Sequence, residues 1–579
     1  MFIRPITIRK NGKSHAYWAL VESYRSERGP RQRVVAYLGK LDRFGRLGIK
    51  HVAEGRGSGY QQNLFDEGGQ PEWMEVDASR VEVKNSRDFG GPWLGLELGE
   101  MVGLSRFLRK RLPDGREEIP WSSMGLVLVL SRLCNPSSEL DIAESFYKAT
   151  AMPDLLGVPE EKVNEDRLYR SLDALLPYKD KLEEYLKERL GSLFDLEYDL
   201  LLYDVTSAYF EGEAKGNGLA QRGYSRDHRA DCKQVCIGLV VSRCGLPLGY
   251  EVFAGNRNDM TTLEEIVGKM EGRYGKAGRI WVVDRGMISE RTMGYLRSDG
   301  RRYIVGTPRG MLKRFERELV KEDWRRIREG VEVKLCPSPG GEEVFILCRS
   351  RDRREKEKAM HERFERRIEE GLSRIMAGCR ERKYKAETIA KRVGRLLGRN
   401  SRAAGLFETR IIKDETGHTR LEWEKKEGWR EWAELSEGCY LLRSNVTEWS
   451  EEDLWTAYIQ LTEAEAAFRI QKSDLCIRPI WHQKTDRVLA HILVCFLAYV
   501  LWKTLGQMCR RAGLGDEPRR VFEELSRIKA VDVVLPTRNG VAITKRCITR
   551  PTDHQMILLQ RLGLHLPSRI KMTGDVVKT

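Results

Sequence analysis

Leu200-Leu201-Leu202-Tyr203-Asp204-Val205 is an apolar run broken by a single carboxylate, and Arg279-Ile280-Trp281-Val282-Val283-Asp284 repeats the pattern 80 residues later. Short apolar runs without alternation read as strands buried on both faces, as in a sheet covered by helices. Between them, residues 234–241 and 246–253 read as a hairpin around Arg243-Cys244-Gly245, and 261–270 as a short helix. A helix over 289–297 and a strand over 302–308 follow. The order strand, two strands, helix, strand, helix, strand predicts an α/β core. If its first and fourth strands are neighbours, Asp204 and Asp284 leave the sheet at adjacent strand ends.

A second stretch adds a third carboxylate. In Tyr458-Ile-Gln-Leu-Thr-Glu-Ala-Glu465-Ala-Ala-Phe-Arg-Ile-Gln-Lys472, the phenol, carboxylate and ammonium recur every seven residues. On one continuous helix they form a polar stripe. A helix crossing the strand ends would bring Glu465 to the two aspartates. Three carboxylates without a compensating cation repel one another, a penalty that a divalent ion removes. Mg²⁺ suits such a set, since it takes a few carboxylates and completes its octahedron with water and phosphate oxygens. Two ions about 3.5–4 Å apart serve phosphodiester displacement. The expected ligands are Asp204, bridging both ions, Asp284 on one and Glu465 on the other, with Mn²⁺ as a substitute. Tyr458 and Lys472 are expected to hold DNA phosphates, and Arg285 either grips the scissile one or offsets the carboxylates. Arg469 either contacts DNA or pairs with Glu465 four residues before it. Trp281 reads as a core residue, Trp455 either packs or stacks a base, and His482 is either a DNA contact or a satisfied core histidine.

The wider composition agrees. The chain has 579 residues, 32% charged and 41% hydrophobic, with a net charge of +15 and pI near 9.2. Such a balance favours a polyanionic partner. Residues 1–60 carry thirteen Lys or Arg against four Asp or Glu. The twelve cysteines include no CxxC pair, and His228, Cys232, Cys236 and Cys244 do not match common zinc spacings. No apolar secretory segment follows Met1, and the run 488–502 reads as a buried helix rather than a membrane span. A soluble cytoplasmic, nucleoid-associated protein without membrane contact is expected.

Along the chain the expected organisation is a basic β-meander that contacts DNA (1–60), a Gly-rich linker (61–91) and a helical module for DNA binding or dimerisation (92–195). The first part of the core (196–309), an insertion (310–445), the second part with the Glu465 helix (446–510) and a C-terminal tail with a possible oligomerisation role (511–579) complete it. Within the insertion, the charged stretch 351–399 reads as a solvated helical hairpin.

Together these residues resemble the DDE insertion-sequence transposases, in the prokaryotic branch marked by Y-x2-R-x3-E-x6-K. Here the signature reads Tyr458-x2-Leu461-x3-Glu465-x6-Lys472, with Leu461 in place of the arginine. The segments Tyr203-Asp204-Val-Thr-Ser, Gly223-Tyr-Ser-Arg-Asp-His228, Gly255-Asn256-Arg-Asn-Asp259, Val283-Asp284-Arg-Gly286 and Phe468-Arg-Ile-Gln-Lys472, with Arg478-Pro479 and His482, carry the same resemblance. It implies an RNase H-like catalytic core interrupted by an inserted α+β domain; 181 residues separate Asp284 from Glu465. It further implies Mg²⁺-dependent cleavage of double-stranded DNA at the element ends, strand transfer to target DNA by a cut-and-paste route, and a homodimer or higher oligomer on paired ends. Two other readings remain open on the residues alone: an RNase H-like nuclease without strand transfer, and a non-catalytic DNA-binding derivative.

Overall fold

The computed structural model describes residues 2–10, 13–26, 29–39, 75–112, 117–276, 278–338, 340–381, 384–413, 418–538, 540, 542–567 and 570. The chain divides into two compact units. One comprises Met1–Tyr198, Asp204–Arg257 and Glu463–Thr579, the other Asp199–Tyr203 and Asn258–Thr462.

The first unit opens with an antiparallel meander of β1 (Phe2–Lys10), β2 (Lys13–Ser26) and β3 (Gly29–Gly39). The expected Asn11-Gly12 turn, residues 41–60 of the expected basic module and 61–74 of the expected linker lie outside the described residues. The rest of that linker departs from expectation, because it holds a strand, β4 (Glu82–Asp88).

The helical module follows. Trp121–Cys134 is almost wholly buried, since its sequence carries apolar residues on every face. Glu165–Leu175 starts where Asn164 accepts a hydrogen bond from the Arg167 amide, and Pro177 limits it. Lys179–Phe194 completes the set. The helix Thr485–Arg511 packs against Trp121–Cys134 and Glu165–Leu175. It is long and apolar enough to cross a bilayer, yet 94% of its apolar window is buried within the protein. The later residues of β5 (Leu200–Tyr209), with β6 (Gln234–Ser242) and β7 (Pro247–Ala254), run in the order β5-β6-β7.

In the second unit, β8 (Ile280–Val283) and β9 (Arg302–Gly306) lie parallel, and β8 also lies parallel to the start of β5. The predicted pairing of first and fourth core strands is therefore present, with Leu200 opposite Ile280 and Tyr203 opposite Val283. The insertion does not stand apart from this sheet. It supplies β10 (Arg325–Arg328), β11 (Val331–Pro337) and β12 (Val344–Ser350). The two-stranded ribbon β13 (Phe407–Lys413) and β14 (Thr419–Lys425) follows, then β15 (Cys439–Ser444). The sheet order is β10-β11-β12-β15-β9-β8-β5, so β15 returns beside β9 and makes the sheet mixed. The charged stretch forms the predicted helical hairpin, Arg351–Glu381 and Ala386–Arg399. One face of it buries Ile368, Leu372, Ile389 and Val393 against Phe407 and Leu421 of the ribbon.

The described residues from 512 to 567, within the segment expected as a tail, carry regular structure of the first unit. A helix, Pro518–Leu525, leads to β16 (Lys529–Pro536) and β17 (Ala542–Ile548), and β16 pairs with β4 as well as β17. Arg546 locks this sheet: its guanidinium bonds both oxygens of Asp532, at 2.6 and 2.9 Å, and Asp154 at 2.6 Å. Pairing between strands more than 400 residues apart has no local signature.

Candidate active site

The Glu465 segment is not the single helix that the seven-residue spacing predicts. Two helices, Glu451–Ile459 and Thr462–Ser473, meet at Gln460-Leu461. The Leu461 amide bonds back to the Tyr458 carbonyl, and its side chain is buried. This break places Tyr458 in the second unit and Glu465 and Lys472 in the first. The stripe is thus divided.

In the second unit, Asp284 follows the last residue of β8 and caps the short turn Arg285–Met287. Its Oδ1 accepts a hydrogen bond from the Tyr458 hydroxyl at 3.3 Å and its Oδ2 one from the Gly286 amide at 3.4 Å. Burial, and then the neighbouring Asp284 charge, raise the Tyr458 hydroxyl above its ordinary pKa, which keeps it a donor. Gly306, at the end of β9, makes this approach possible. A Cβ there would collide with the Tyr458 oxygen and lie 3.1 Å from the Arg285 amide nitrogen. Arg285 is exposed, and among the described residues no carboxylate pairs with its side chain.

In the first unit, Asp204 is half-buried on β5, and its Oδ1 accepts from the Val205 amide at 2.8 Å. Glu465 is exposed in the first turn of its helix, with no ion pair among the described residues. Arg469 is exposed too, and the described residues show no Arg469–Glu465 pair; the Ser473 hydroxyl donates to its carbonyl at 2.6 Å. Lys472 is half-buried and bonded to Asp227 at 2.9 Å, and Arg478 approaches the same carboxylate at 3.2 Å. Burial lowers the Lys472 ammonium below its ordinary pKa, against the pull of Asp227. The expected phosphate contact is therefore already engaged with an internal carboxylate. Asp227 lies in the Gly223–His228 motif, so its signal was present in the sequence, although its partner was not.

A second ion pair braces the same helix. Glu463 meets Lys503 at 3.0 Å and Arg510 at 3.4 Å, and Gly245, at φ +78°, turns the β6–β7 loop so closely over the pair that a Cβ would strike both side chains. The Tyr499 hydroxyl bonds the Gly245 carbonyl at 2.9 Å. Lys503→Met should leave Glu463 with Arg510 alone and destabilise the helix by about 1–3 kcal/mol. Faster amide exchange across Thr462–Ser473 would report it, and unchanged exchange would sink the expectation.

Other expectations settle simply. Trp281 is buried, and Trp455 is buried with its indole N–H on the Tyr440 hydroxyl at 2.7 Å. His482 is largely buried, 3.2 Å from Glu139, with its ring edge-on to Tyr169. None of the twelve cysteines forms a disulfide, and Cys236 is buried within β6. Among the described residues no cluster of three His, Cys, Asp or Glu side chains forms a ready metal cage. Taken each within its own unit, Asp284 and Glu465 offer carboxylate oxygens that no lysine or arginine among the described residues neutralises, and such oxygens are donors suited to a hard divalent cation.

Comparison with known proteins adds the following. Residues 3–63 match the family described as IS1634 family transposase, N-terminal domain, and residues 195–501 match the transposase DDE domain. No curated protein matches the chain. Among solved structures, the cryo-EM structure of the piggyBac transposase synaptic complex with hairpin DNA aligns with 10% identity and a TM-score of 0.36, over 79% of this chain and 82% of that one.

Proposed function

The chain belongs to the DDE transposases of the IS1634 family, and from that premise we propose that it cuts double-stranded DNA at the ends of its insertion sequence and joins the freed ends to target DNA. Asp204, Asp284 and Glu465 are the metal-holding carboxylates in this reading, on an RNase H-like core whose sheet the insertion extends. The observation that carries it is the parallel register that sets Tyr203 opposite Val283, because an aspartate follows each of them in the chain.

Divalent ions, when bound, supply activation of the attacking oxygen and stabilisation of the leaving one. The chain's own residues do the rest. The Tyr458 hydroxyl and the Gly286 amide orient the Asp284 carboxylate. The Val205 amide orients that of Asp204. Arg285, exposed and without a carboxylate partner among the described residues, neutralises a phosphate of the scissile strand. Water attacks first, and the freed 3′-hydroxyl then attacks target DNA, a cut-and-paste route carried out by a dimer or larger assembly on paired ends. The β-meander and the helical module hold the element ends.

Cleavage and joining of labelled element-end DNA, in Mg²⁺ and in EDTA, tests this. Metal-dependent cutting with joined product is the expected result. Cutting without joining would make the protein a nuclease, and end binding without cutting a non-catalytic derivative.

Tyr458 is expected to act on Asp284 rather than on DNA. Tyr458→Phe keeps the ring and removes one donor, so cleavage should fall about 10- to 100-fold at unchanged end affinity. Gly306→Ala should do the same by displacing the hydroxyl. A loss of affinity in place of rate would return Tyr458 to a phosphate-binding role.

A further inference from the structure

Two aromatic rings project from the unit that carries Asp204 and Glu465. Tyr224 is 82% exposed and Trp481 68%; every other strongly exposed large apolar side chain among the described residues is Val, Leu or Ile. Both lie in motifs that the catalytic reading leaves unused, Gly223–His228 and Arg478–His482.

Neither ring is exposed because its backbone is loose. Gly223 lies so close to the Gly255-Asn256 turn that a Cβ would collide with the Gly255 carbonyl. The buried Gln234 amide donates to the carbonyls of both Tyr224, at 3.0 Å, and Gly255, at 2.9 Å. On the other side, Ile480 bonds through its amide to the Tyr209 carbonyl and through its carbonyl to the Glu211 amide. The Trp481 carbonyl accepts from the Gln483 side chain at 2.8 Å. Asp227 ties the two segments together, since it holds Arg478 and Lys472 three residues beyond Tyr224. The guanidinium groups of Arg229 and Arg478 lie 4.9 and 5.8 Å from the centre of the Tyr209 ring. Residues 221–233 carry four Lys or Arg against two Asp, and 476–484 two against none. Arg222 and Lys484 have no carboxylate partner among the described residues.

Exposed aromatic side chains on an anchored backbone, among cations, match a particular form of nucleic acid. Paired duplex hides base faces within its own stack, so there the two side chains could use only the hydroxyl or indole N–H on phosphate and leave their ring faces without a partner. An unpaired base presents a face to stack on, while its flanking phosphates meet the cations. We propose that Tyr224 and Trp481 form a stacking platform for unpaired nucleotides of the DNA that this protein processes. The proposal rests on the reading of the chain as DNA-acting, and it adds a preference for locally unpaired strands.

The test uses the full chain, with a fluorescent oligothymidylate, a fluorescent duplex and a duplex carrying 2-aminopurine in an unpaired bulge. The native protein should bind oligothymidylate and change the 2-aminopurine emission on stacking. Tyr224→Ala and Trp481→Ala should each weaken oligothymidylate binding by about 5- to 150-fold, the range of one lost base stack. Duplex affinity should stay within about twofold, and Trp481→Phe should restore most of the loss. Equal losses on both DNAs, or none on oligothymidylate, would overturn the platform while leaving the transposase reading intact. Failure of the native chain to bind either DNA would overturn both. Unchanged affinities with a shift in sedimentation would reassign the surface to contacts between copies of this chain.

Discussion

Glu465→Gln is expected to lower single-turnover cleavage of element-end DNA by on the order of 10³-fold, with end binding unchanged within about twofold. The substitution keeps shape and hydrogen-bonding reach and removes only the charge. Glu465 is exposed, and no cation among the described residues depends on it, so the fold has little to lose. Its position in the first turn of Thr462–Ser473 adds a helix-dipole contribution of only about 0.3–1 kcal/mol. A neutral amide is a poor ligand for a hard divalent ion, however, and the loss falls on chemistry rather than on affinity. Cleavage in Mg²⁺ and DNA anisotropy on the same preparations measure the two separately. Retention of cleavage within about tenfold would remove Glu465 from the reaction and leave the two aspartates in need of another third ligand.

The second large effect concerns stability. Arg546→Leu should destabilise the sheet β17-β16-β4 by about 3–5 kcal/mol, because it removes the charged donor that faces two buried carboxylates. The side chains of Arg546, Asp154 and Asp532 are 7%, 1% and 4% exposed. Asn85 donates to Asp532 at 3.0 Å, but a neutral amide cannot replace a guanidinium. The hydrogen bonds from Arg546 are the main cause holding the Asp532 carboxyl below its ordinary value of 3.8. A depressed carboxyl pKa contributes stability fully above its unfolded value and loses it as pH falls through the folded one. The difference between native and variant proteins should therefore be full at neutral pH and shrink below pH 3.8. Amide exchange in β16 and β17 at both pH values is the measurement. Protection unchanged by the substitution at neutral pH would show that the triad contributes nothing net.

Much of this molecule is legible without coordinates. Tyr203-Asp204 and Val283-Asp284 announce their strands because β-branched and bulky apolar runs are costly anywhere but inside a sheet. Asp284 marks where its chain leaves the sheet, as expected, whereas β5 runs on through Asp204 to Tyr209 and corrects the expectation of a strand end there. The same local logic finds the helix Glu165–Leu175 through Asn164 and Pro177, and the solvated hairpin through its paired charges. The seven-residue spacing of Tyr458, Glu465 and Lys472 is also real, but the continuous helix it implies is not. Periodicity cannot detect that Leu461, where the family signature has arginine, buries its side chain at a break.

The sequence by itself thus determined the α/β class and the buried strands that lead to Asp204 and Asp284, since each depends on residues close together in the chain. It left the pairing of β5 with β8, 80 residues apart, as a condition that the tertiary structure met. Tertiary structure alone decided that β4 pairs with β16, that Lys472 is engaged by Asp227, and that Gly306 leaves room for Tyr458 to reach Asp284. Those contacts join residues 152 to more than 400 positions apart, and side chains there are selected by complementarity in space, which leaves no period, cap or spacing in the chain to read.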